Sequence, residues 1–285
     1  MTSVRRNLIT AEPILFAPER AGRPNAFVGD PATDVCPFCP GNEELTPPEI
    51  MHAGDPWRIR VFPNKYPATE HHEVIVESTS HDATFDGIDA AEVVGVYLQR
   101  YRELAGRSGV RSVMLFKNHG RAAGASIAHL HSQITALPFV PPRIAAESQA
   151  FAKAISCPLC DAITTHRVAE LIIAETPTMV WLAPHGSAFA HQQWIIPKRH
   201  KNDIAALSGE ESRDLAALLQ RASAGMRKIS PAHNWLFLGF PGVAAAHCYV
   251  DVFPRVTNVA GFELGTGTWI DVVDPAATVR LLSDP

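Results

Sequence analysis

The segment AHLHSQIT, residues 128–135, places two histidines and a glutamine at alternate positions. Because alternate residues of a β-strand point to the same side, His129, His131 and Gln133 would share one face. A neutral imidazole binds metal ions and also acts as a nucleophile, while an amide meets the charge on a phosphoryl group. The segment therefore indicates metal binding, nucleophilic catalysis, or a division of the two tasks between its histidines.

Two CxxC pairs, CPFC and CPLC, contain four of the five cysteines. One such pair is only a weak indication of zinc binding, because redox proteins share the spacing. Histidines at matching positions are needed to favour zinc. Each pair is followed by two histidines, at intervals that agree to within two residues between the halves. Two thiolates and two imidazoles suit tetrahedral zinc, and four protein ligands make a closed, structural site. The predicted zinc ligands are Cys36, Cys39, His81 and His129 in the first half and Cys157, Cys160, His200 and His247 in the second.

The repeated order of these features indicates two copies of one α+β unit. Each middle histidine is followed by a predicted helix, over residues 89–109 and 208–230, and then by an apolar stretch typical of a strand. Ser208 and Glu211 have the spacing of a capping box at the start of the second helix. The sequence therefore predicts an α+β protein with two tandem domains, residues 1–150 and 151–285, each with its own metal site.

The two copies differ at the last histidine motif, which reads HLHSQI in the first and HCYVDV in the second. His131 is replaced by Tyr249, and Gln133 by Asp251, whereas the leading histidine is kept. This difference favours a division of labour, in which metal supports both halves and the chemistry resides in the first. The alternative is that His131 merely supports the metal site or lies on the surface.

Small and polar residues surround the candidate nucleophile. FKNHGRAAGAS, residues 116–126, contributes Asn118, Gly124 and Ser126, and its glycines permit a ligand to approach the backbone N–H groups closely. Arg20 and Arg23, in a proline-bounded N-terminal loop, suit phosphate recognition. Taken singly, arginines of this kind are more often solvated surface charges.

Composition excludes several classes of protein. The 285 residues carry a net charge of −4, so there is no basic surface of the kind that binds nucleic acid without sequence preference. No apolar run reaches the roughly 18–20 residues of a membrane helix, and no signal peptide is recognisable. We expect a cytoplasmic protein that binds neither nucleic acid nor membrane.

The chain resembles the galactose-1-phosphate uridylyltransferase family, a branch of the histidine-triad superfamily. The matching segments are APERAGRP, CPFCPGNEELTPPE, FPNKYPA, SHD, FKNHGRAAGASIAHLHSQI and GFELGTG. They extend from residue 17 to residue 267, nearly the whole chain. The resemblance implies two histidine-triad-like domains, each an antiparallel sheet with helices, and a homodimer.

The resemblance also implies a reaction. A nucleoside monophosphate passes from a nucleotide sugar to a hexose 1-phosphate by a ping-pong mechanism with a nucleotidyl-histidine intermediate. His131 would match the nucleophile, Gln133 and Ser126 the phosphoryl contacts, and the eight cysteines and histidines above the ligands of two structural zinc ions. Contacts to the nucleotide and the hexose would come from Arg20, Arg23, Asn64, Asn118, Gly124 and Glu263.

Several residues differ from those of familiar uridylyltransferases, so the identities of the nucleotide sugar and of the phosphate acceptor are open. The complete second Cys₂His₂ set and GFELGTGTWIDVVDP look like the relatives that include plant ADP-glucose phosphorylase, which would use inorganic phosphate as the acceptor. Lys65 follows Asn64, where familiar uridylyltransferases carry an acid. Nucleobase, hexose and acceptor are therefore open. The same residues would also suit a dinucleoside polyphosphate phosphorylase or hydrolase and, without catalysis, a zinc-containing nucleotide-sugar sensor.

Overall fold

One ten-stranded antiparallel sheet runs through both halves of the chain in the computed structural model, which describes residues 3–6, 10, 13–17 and 35–283. A separate hairpin of β1 (Ser3–Arg6) and β2 (Pro13–Phe16) precedes it. Arg20 and Arg23 lie outside the described residues. The strands of the large sheet are β3 (Met51–Ala53), β4 (Ile59–Pro63), β5 (His71–Val76), β6 (Ser112–His119), β7 (His131–Leu137), β8 (Ile172–Glu175), β9 (Met179–Leu182), β10 (Gln193–Pro197), β11 (His233–Leu238) and β12 (Tyr249–Pro254).

The strand order is symmetric about the middle of the sheet. It reads β3-β4-β5-β7-β6-β11-β12-β10-β9-β8, so each strand of the first half has a counterpart at the mirrored place in the second. The halves are joined where β6 pairs antiparallel with β11. The predicted α+β class with two repeated units is confirmed, with one addition: the two half-sheets form a single sheet.

Six α-helices accompany the sheet in the part of the chain that the structure describes. The two predicted helices are present: α1 begins after an Asp89 N-cap, and α4 begins with the predicted Ser208–Glu211 capping box. Among the described residues, no helix is both long and apolar enough to cross a membrane. The helices are α1 (Ala90–Ala105), α2 (Pro142–Lys153), α3 (Pro158–Val168), α4 (Gly209–Ile229), α5 (Gly261–Thr266) and α6 (Pro275–Ser283).

The sheet has two unlike faces, because neighbouring residues of a strand point to opposite sides. Helices α1 and α4 pack together against one face, which we call the helix face. Leu115 and Ile134 are paired across β6 and β7 and are fully buried in the core on that side. The next pair, Phe116 and Gln133, points to the opposite face, which we call the site face. The sheet therefore separates an apolar core from the surface that carries the candidate chemistry.

Candidate active site and metal centres

Four ligand-type side chains of the first half converge at the end of the HxHxQ strand. The ligand atoms of Cys36, Cys39, His81 and His129 all lie within 4.8 Å of one another. Cys39 Sγ lies 3.5 Å from Nδ1 of His81 and of His129, and Cys36 Sγ lies 3.8 Å from His129 Nδ1. A tetrahedral zinc with bonds of about 2.3 Å to sulfur and about 2.0 Å to nitrogen gives sulfur–nitrogen edges of about 3.5 Å. The cluster has the dimensions of such a site.

The second half repeats this arrangement. The ligand atoms of Cys157, Cys160, His200 and His247 also lie within 4.8 Å of one another. Cys160 Sγ is 3.5 Å from Nδ1 of both histidines, and Cys157 Sγ is 3.7 Å from His247 Nδ1. The structure thus brings together both predicted ligand sets with nearly equal distances, and either set could hold a metal ion.

The last histidine of each cluster has the tautomer that leaves Nδ1 able to bind a metal ion. His129 Nε2 donates to the Ser78 carbonyl at 2.7 Å, and His247 Nε2 donates to the Pro197 carbonyl at 2.9 Å. A carbonyl only accepts, so the proton is on Nε2 and the lone pair on Nδ1 faces the sulfurs. The donor set therefore fits a thiophilic cation such as zinc on chemical grounds.

The pKa values in the clusters agree with a cation-binding role. Burial, with His200 nearby, lowers the pKa of His247 to about 4, so its imidazole is neutral at physiological pH. Burial raises the pKa of the Cys36 thiol and of the Cys160 thiol to about 11 each, so the metal-free thiols are protonated. Binding of a cation must therefore release protons, and acid must weaken it.

His131 begins β7, two residues beyond the ligand His129, and its side chain is buried. His131 Nδ1 donates to the His129 carbonyl at 2.7 Å, so the lone pair of the neutral ring is on Nε2. The Phe38 ring meets the imidazole edge-on, with the centroids 5.2 Å apart. The cluster, the backbone and an aromatic contact thus hold the imidazole in one orientation that a nucleophile can use.

The carboxamide of Gln133 is held by two neighbours that point to the same face. Gln133 Oε1 accepts from Asn64 Nδ2 at 3.1 Å and from His72 Nε2 at 2.9 Å. His72 is the donor because its Nδ1 already accepts from the Ala68 N–H at 3.0 Å, and Asn64 is fixed by the Tyr66 N–H at 2.8 Å. With Oε1 engaged twice, the Gln133 amino group is the end available for a phosphoryl oxygen.

A cavity of about 460 Å³ opens beside these residues. Phe38, Phe62 and Val74 give it an apolar wall, whereas His131, Gln133, Asn64, Lys65 and Ser126 line its polar part. Its size and mixed lining are those of a small-molecule site. The described residues place one cation, Lys65, and no carboxylate in this lining, which favours an anionic ligand.

The other predicted substrate contacts in the described part of the chain, apart from Asn64, are not in the lining of this cavity. Asn118 is the next-to-last residue of β6, and its Oδ1 accepts from Asn234 Nδ2 at 2.8 Å. Gly124 has a φ of +86°, which only glycine adopts readily, in the loop that leads to Ser126. Neither of the two lines the cavity in the described part of the chain. Glu263 lies in the exposed helix α5, where its carboxylate accepts from the Ala260 N–H, and it also lies outside the described lining.

The corresponding place in the second half also lines a cavity, of about 720 Å³, but its polar side chains are joined in a closed network of charges. Arg143 of α2 donates to Asp251 Oδ2 at 2.8 Å and to the Tyr249 hydroxyl at 3.2 Å. Gln192 donates to Asp251 Oδ1 at 2.7 Å, and Tyr249 donates to Glu147 at 3.0 Å. Burial raises the pKa of Tyr249 well above its ordinary range, so its phenol is neutral and a poor nucleophile.

His72 is a site residue that the sequence patterns did not identify. Pattern matching pairs it with His191, since each precedes a ligand histidine by nine positions. The structure instead gives its place to Gln192, which accepts from the Ala188 N–H as His72 accepts from Ala68, and which contacts Asp251 as His72 contacts Gln133. The alternation of His72 with Val74 and Val76 on β5 is the signal that places it on the site face.

Comparison with known proteins finds this architecture in a well-defined group. The chain is 28% identical to ADP-glucose phosphorylase of Arabidopsis thaliana, over 99% of this chain and 92% of that protein. It is 27% identical to galactose-1-phosphate uridylyltransferase of Thermotoga maritima, over 100% and 98%. The crystal structure of the Arabidopsis phosphorylase with bound ADP-glucose matches with a TM-score of 0.80, covering 100% of this chain and 99% of that one. A uridylyltransferase structure, at 23% identity and a TM-score of 0.83, shares the fold.

The fold and the site are thus similar to those of galactose-1-phosphate uridylyltransferase and ADP-glucose phosphorylase, and the resemblance seen in the sequence is confirmed. The chain belongs to the family described as "Domain of unknown function (DUF4921)", which matches residues 96–283. A second family, described as "Domain of unknown function (DUF4931) N-terminal domain", matches residues 22–140.

Proposed function

We propose that this protein is a nucleotidyltransferase that moves a nucleoside monophosphate from a nucleotide sugar to a hexose 1-phosphate through a nucleotidyl-His131 intermediate. One observation carries the proposal: His131, with its lone pair on Nε2, and Gln133, with its oxygen engaged by Asn64 and His72, face one cavity from the same strand. The transfer needs a nucleophile and a group that donates hydrogen bonds to the phosphoryl oxygens.

In the first half-reaction, His131 Nε2 attacks the α-phosphorus of the nucleotide sugar. The bond from that phosphorus to the oxygen of the sugar phosphate breaks, and sugar 1-phosphate leaves with the bonding electrons. In the second, a phosphate oxygen of the acceptor attacks the same phosphorus, the bond from phosphorus to His131 Nε2 breaks, and the imidazole leaves with the bonding electrons as a neutral ring. Gln133 and Ser126 donate to the phosphoryl oxygens, and Lys65 offsets their charge.

The Cys₂His₂ clusters would hold zinc with four protein ligands each, and such an ion supplies rigidity rather than reactivity. Cys36, Cys39, His81 and His129 hold the strand end next to His131, whereas the second set holds the equivalent end of β12. Arg20, Arg23, Asn118, Gly124 and Glu263 stay proposed substrate contacts, and the domains 1–150 and 151–285 stay a proposed division. Exposed apolar side chains between Phe262 and Val272 support the proposed homodimer, which sedimentation of the purified protein would test.

A second candidate differs only in the acceptor. The similarity to ADP-glucose phosphorylase over almost the whole chain supports inorganic phosphate as the acceptor and adenine as the base. Purified protein should be incubated with UDP-, ADP- and GDP-hexoses, each with inorganic phosphate and with hexose 1-phosphates. A new nucleotide sugar is expected for the transferase, and a nucleoside diphosphate for the phosphorylase. Absence of both products from every combination would contradict the proposal.

A further inference from the structure

A buried ion pair lies directly behind the candidate nucleophile, on the helix face of the sheet. Lys117 of β6 and Glu77, just after β5, have side chains that are 1% and 0% exposed and form a salt bridge. Lys117 Nζ also donates to the His131 carbonyl oxygen at 3.1 Å. The cation thus binds the backbone of the residue whose imidazole faces the cavity on the other side.

Helix α1 completes this network. The Tyr97 hydroxyl donates to Glu77, and it lies 2.7 Å from the Ser132 hydroxyl. Tyr97 and Ser132 are both buried. Lys117 therefore holds the carbonyl group of His131, and Tyr97 holds the side chain of the next residue, Ser132. Hydrogen bonds to charged groups are stronger than neutral ones, and these are buried, so the network restrains the backbone at His131.

The second half lacks this network at the equivalent positions, all of which the structure describes. Val250 follows Tyr249 as Ser132 follows His131, and the strand register places Phe237 opposite Val250 where Lys117 lies near Ser132. Register along β10 gives the place of Glu77 to Pro197. Apolar residues at these three positions pack the same fold without a charge. Since buried ion pairs can be replaced by apolar groups at little cost in stability, the fold alone does not explain the pair in the first half.

We propose that Lys117, held by Glu77 and Tyr97, is a positioning residue that fixes the His131 backbone so that the imidazole points at the reacting phosphorus. The inference rests on the proposed function of His131. It assigns to the ion pair an effect on the rate of transfer rather than on substrate binding. A displacement of the nucleophile by about 1 Å is enough to slow a reaction by about 100-fold.

The test replaces the whole pair, because removal of one partner would leave an uncompensated buried charge. In Lys117→Met/Glu77→Met, we expect the rate of His131 nucleotidylation in a single turnover to fall by about 10–100-fold, with unchanged nucleotide-sugar affinity and metal content. The matched control is Arg100→Met/Glu73→Met. That pair is also on the helix face and nearly as buried, 3% and 5% exposed, but it does not contact His131. The control should keep the wild-type rate.

Nitrogen NMR of ¹⁵N-histidine-labelled protein gives a readout that does not depend on turnover, with His131→Asn identifying the signal. The wild type should show a single Nδ1–H tautomer for His131, and the Lys117/Glu77 double variant a mixture. Tyr97→Phe keeps the ion pair and should show a smaller change of the same kind. An unchanged tautomer together with an unchanged rate would overturn the positioning role. A wild-type protein that forms no nucleotidyl adduct would instead overturn the proposed function, while the tautomer would still test the positioning.

Discussion

The two halves of this protein are built alike but differ at the two places where chemistry needs particular side chains. Both hold a Cys₂His₂ cluster with matching sulfur–nitrogen distances, and both place the strand after the last ligand at the equivalent position in the sheet. In the first half that strand presents His131 and Gln133 to a cavity. In the second it also faces a cavity, of about 720 Å³, but Arg143 engages Asp251 and Glu147 engages Tyr249 in a closed network.

The difference between the halves separates scaffold from reactivity. A feature present in both halves, such as the Cys₂His₂ cluster, is assigned to the fold of each unit. A feature present only in the first half, such as the second histidine of HxHxQ, is a candidate for chemistry. The donor to the glutamine position follows the same rule, since His72 in the first half corresponds to Gln192 in the second. Substitutions at equivalent positions of the two halves test this separation, and their expected effects on turnover range from very large to none.

The largest difference in turnover should arise between variants of His131 and of Tyr249, its equivalent in the second half. His131→Asn removes the attacking nitrogen and is expected to lower turnover by about 10⁴-fold or more, whereas Tyr249→Phe should leave turnover near the wild-type value. Steady-state rates with the preferred substrate pair measure both variants. Equal losses in the two variants would contradict the assignment of chemistry to the first half.

The metal ligands should give a smaller but still unequal pair of effects. Cys39→Ser and Cys160→Ser should each remove one metal ion per chain and lower the thermal stability. Only the first should lower turnover per folded molecule, by about 10–100-fold, because its cluster ends next to His131. Elemental analysis and rates normalised to folded protein check this. Turnover that depends equally on both clusters would show that the second also supports the site.

Substitution of His72, which donates a hydrogen bond to Gln133, is expected to have a modest effect on turnover. His72→Gln copies the second-half arrangement into the first, so the Gln133 amide keeps a neighbour but loses its aromatic donor. We expect kcat to fall by about tenfold, with little change in KM for the nucleotide sugar. Gln192→His is the reciprocal control and should have wild-type kinetics. A change in KM alone would place His72 in ground-state binding rather than in stabilisation of the transition state.

The closed network of the second half should affect stability and leave turnover unchanged. Arg143→Met leaves the buried Asp251 without its cation, at a cost of about 1–3 kcal/mol near neutral pH. Burial raises the pKa of Asp251 although Arg143 opposes this, so loss of Arg143 raises it further. The folded variant then holds a proton that the unfolded chain has lost, so its stability should fall as pH rises above about 4. Urea unfolding of variant and wild type at several pH values measures this. A pH-independent loss would mean that Asp251 is not the group responsible.

The sequence predicted the repeated α+β units and the groups of metal-type residues, because both depend on spacing along the chain. It did not predict that β6 and β11 would join the half-sheets, since strand pairing between repeats leaves no mark in either repeat. The role of His72 was missed because its hydrogen-bond partner, Gln133, is 61 residues away in the sequence. Lys117 and Glu77 were missed for the same reason, since a charged pair 40 residues apart has no pattern until the strands are paired. Glu263 was placed by motif alone, and the structure gives it a helix-capping contact.

The most direct test of the account is to locate the covalent intermediate. The protein should be incubated with a nucleotide sugar labelled in the α-phosphate, without acceptor, and the acid-labile adduct located by mass spectrometry of peptides kept at alkaline pH. We expect one nucleotidyl group per chain, on His131, that disappears when the acceptor is added and is absent from His131→Asn. An adduct on any residue of the second half, or one that persists in His131→Asn, would contradict the central claim that only the first half carries the chemistry.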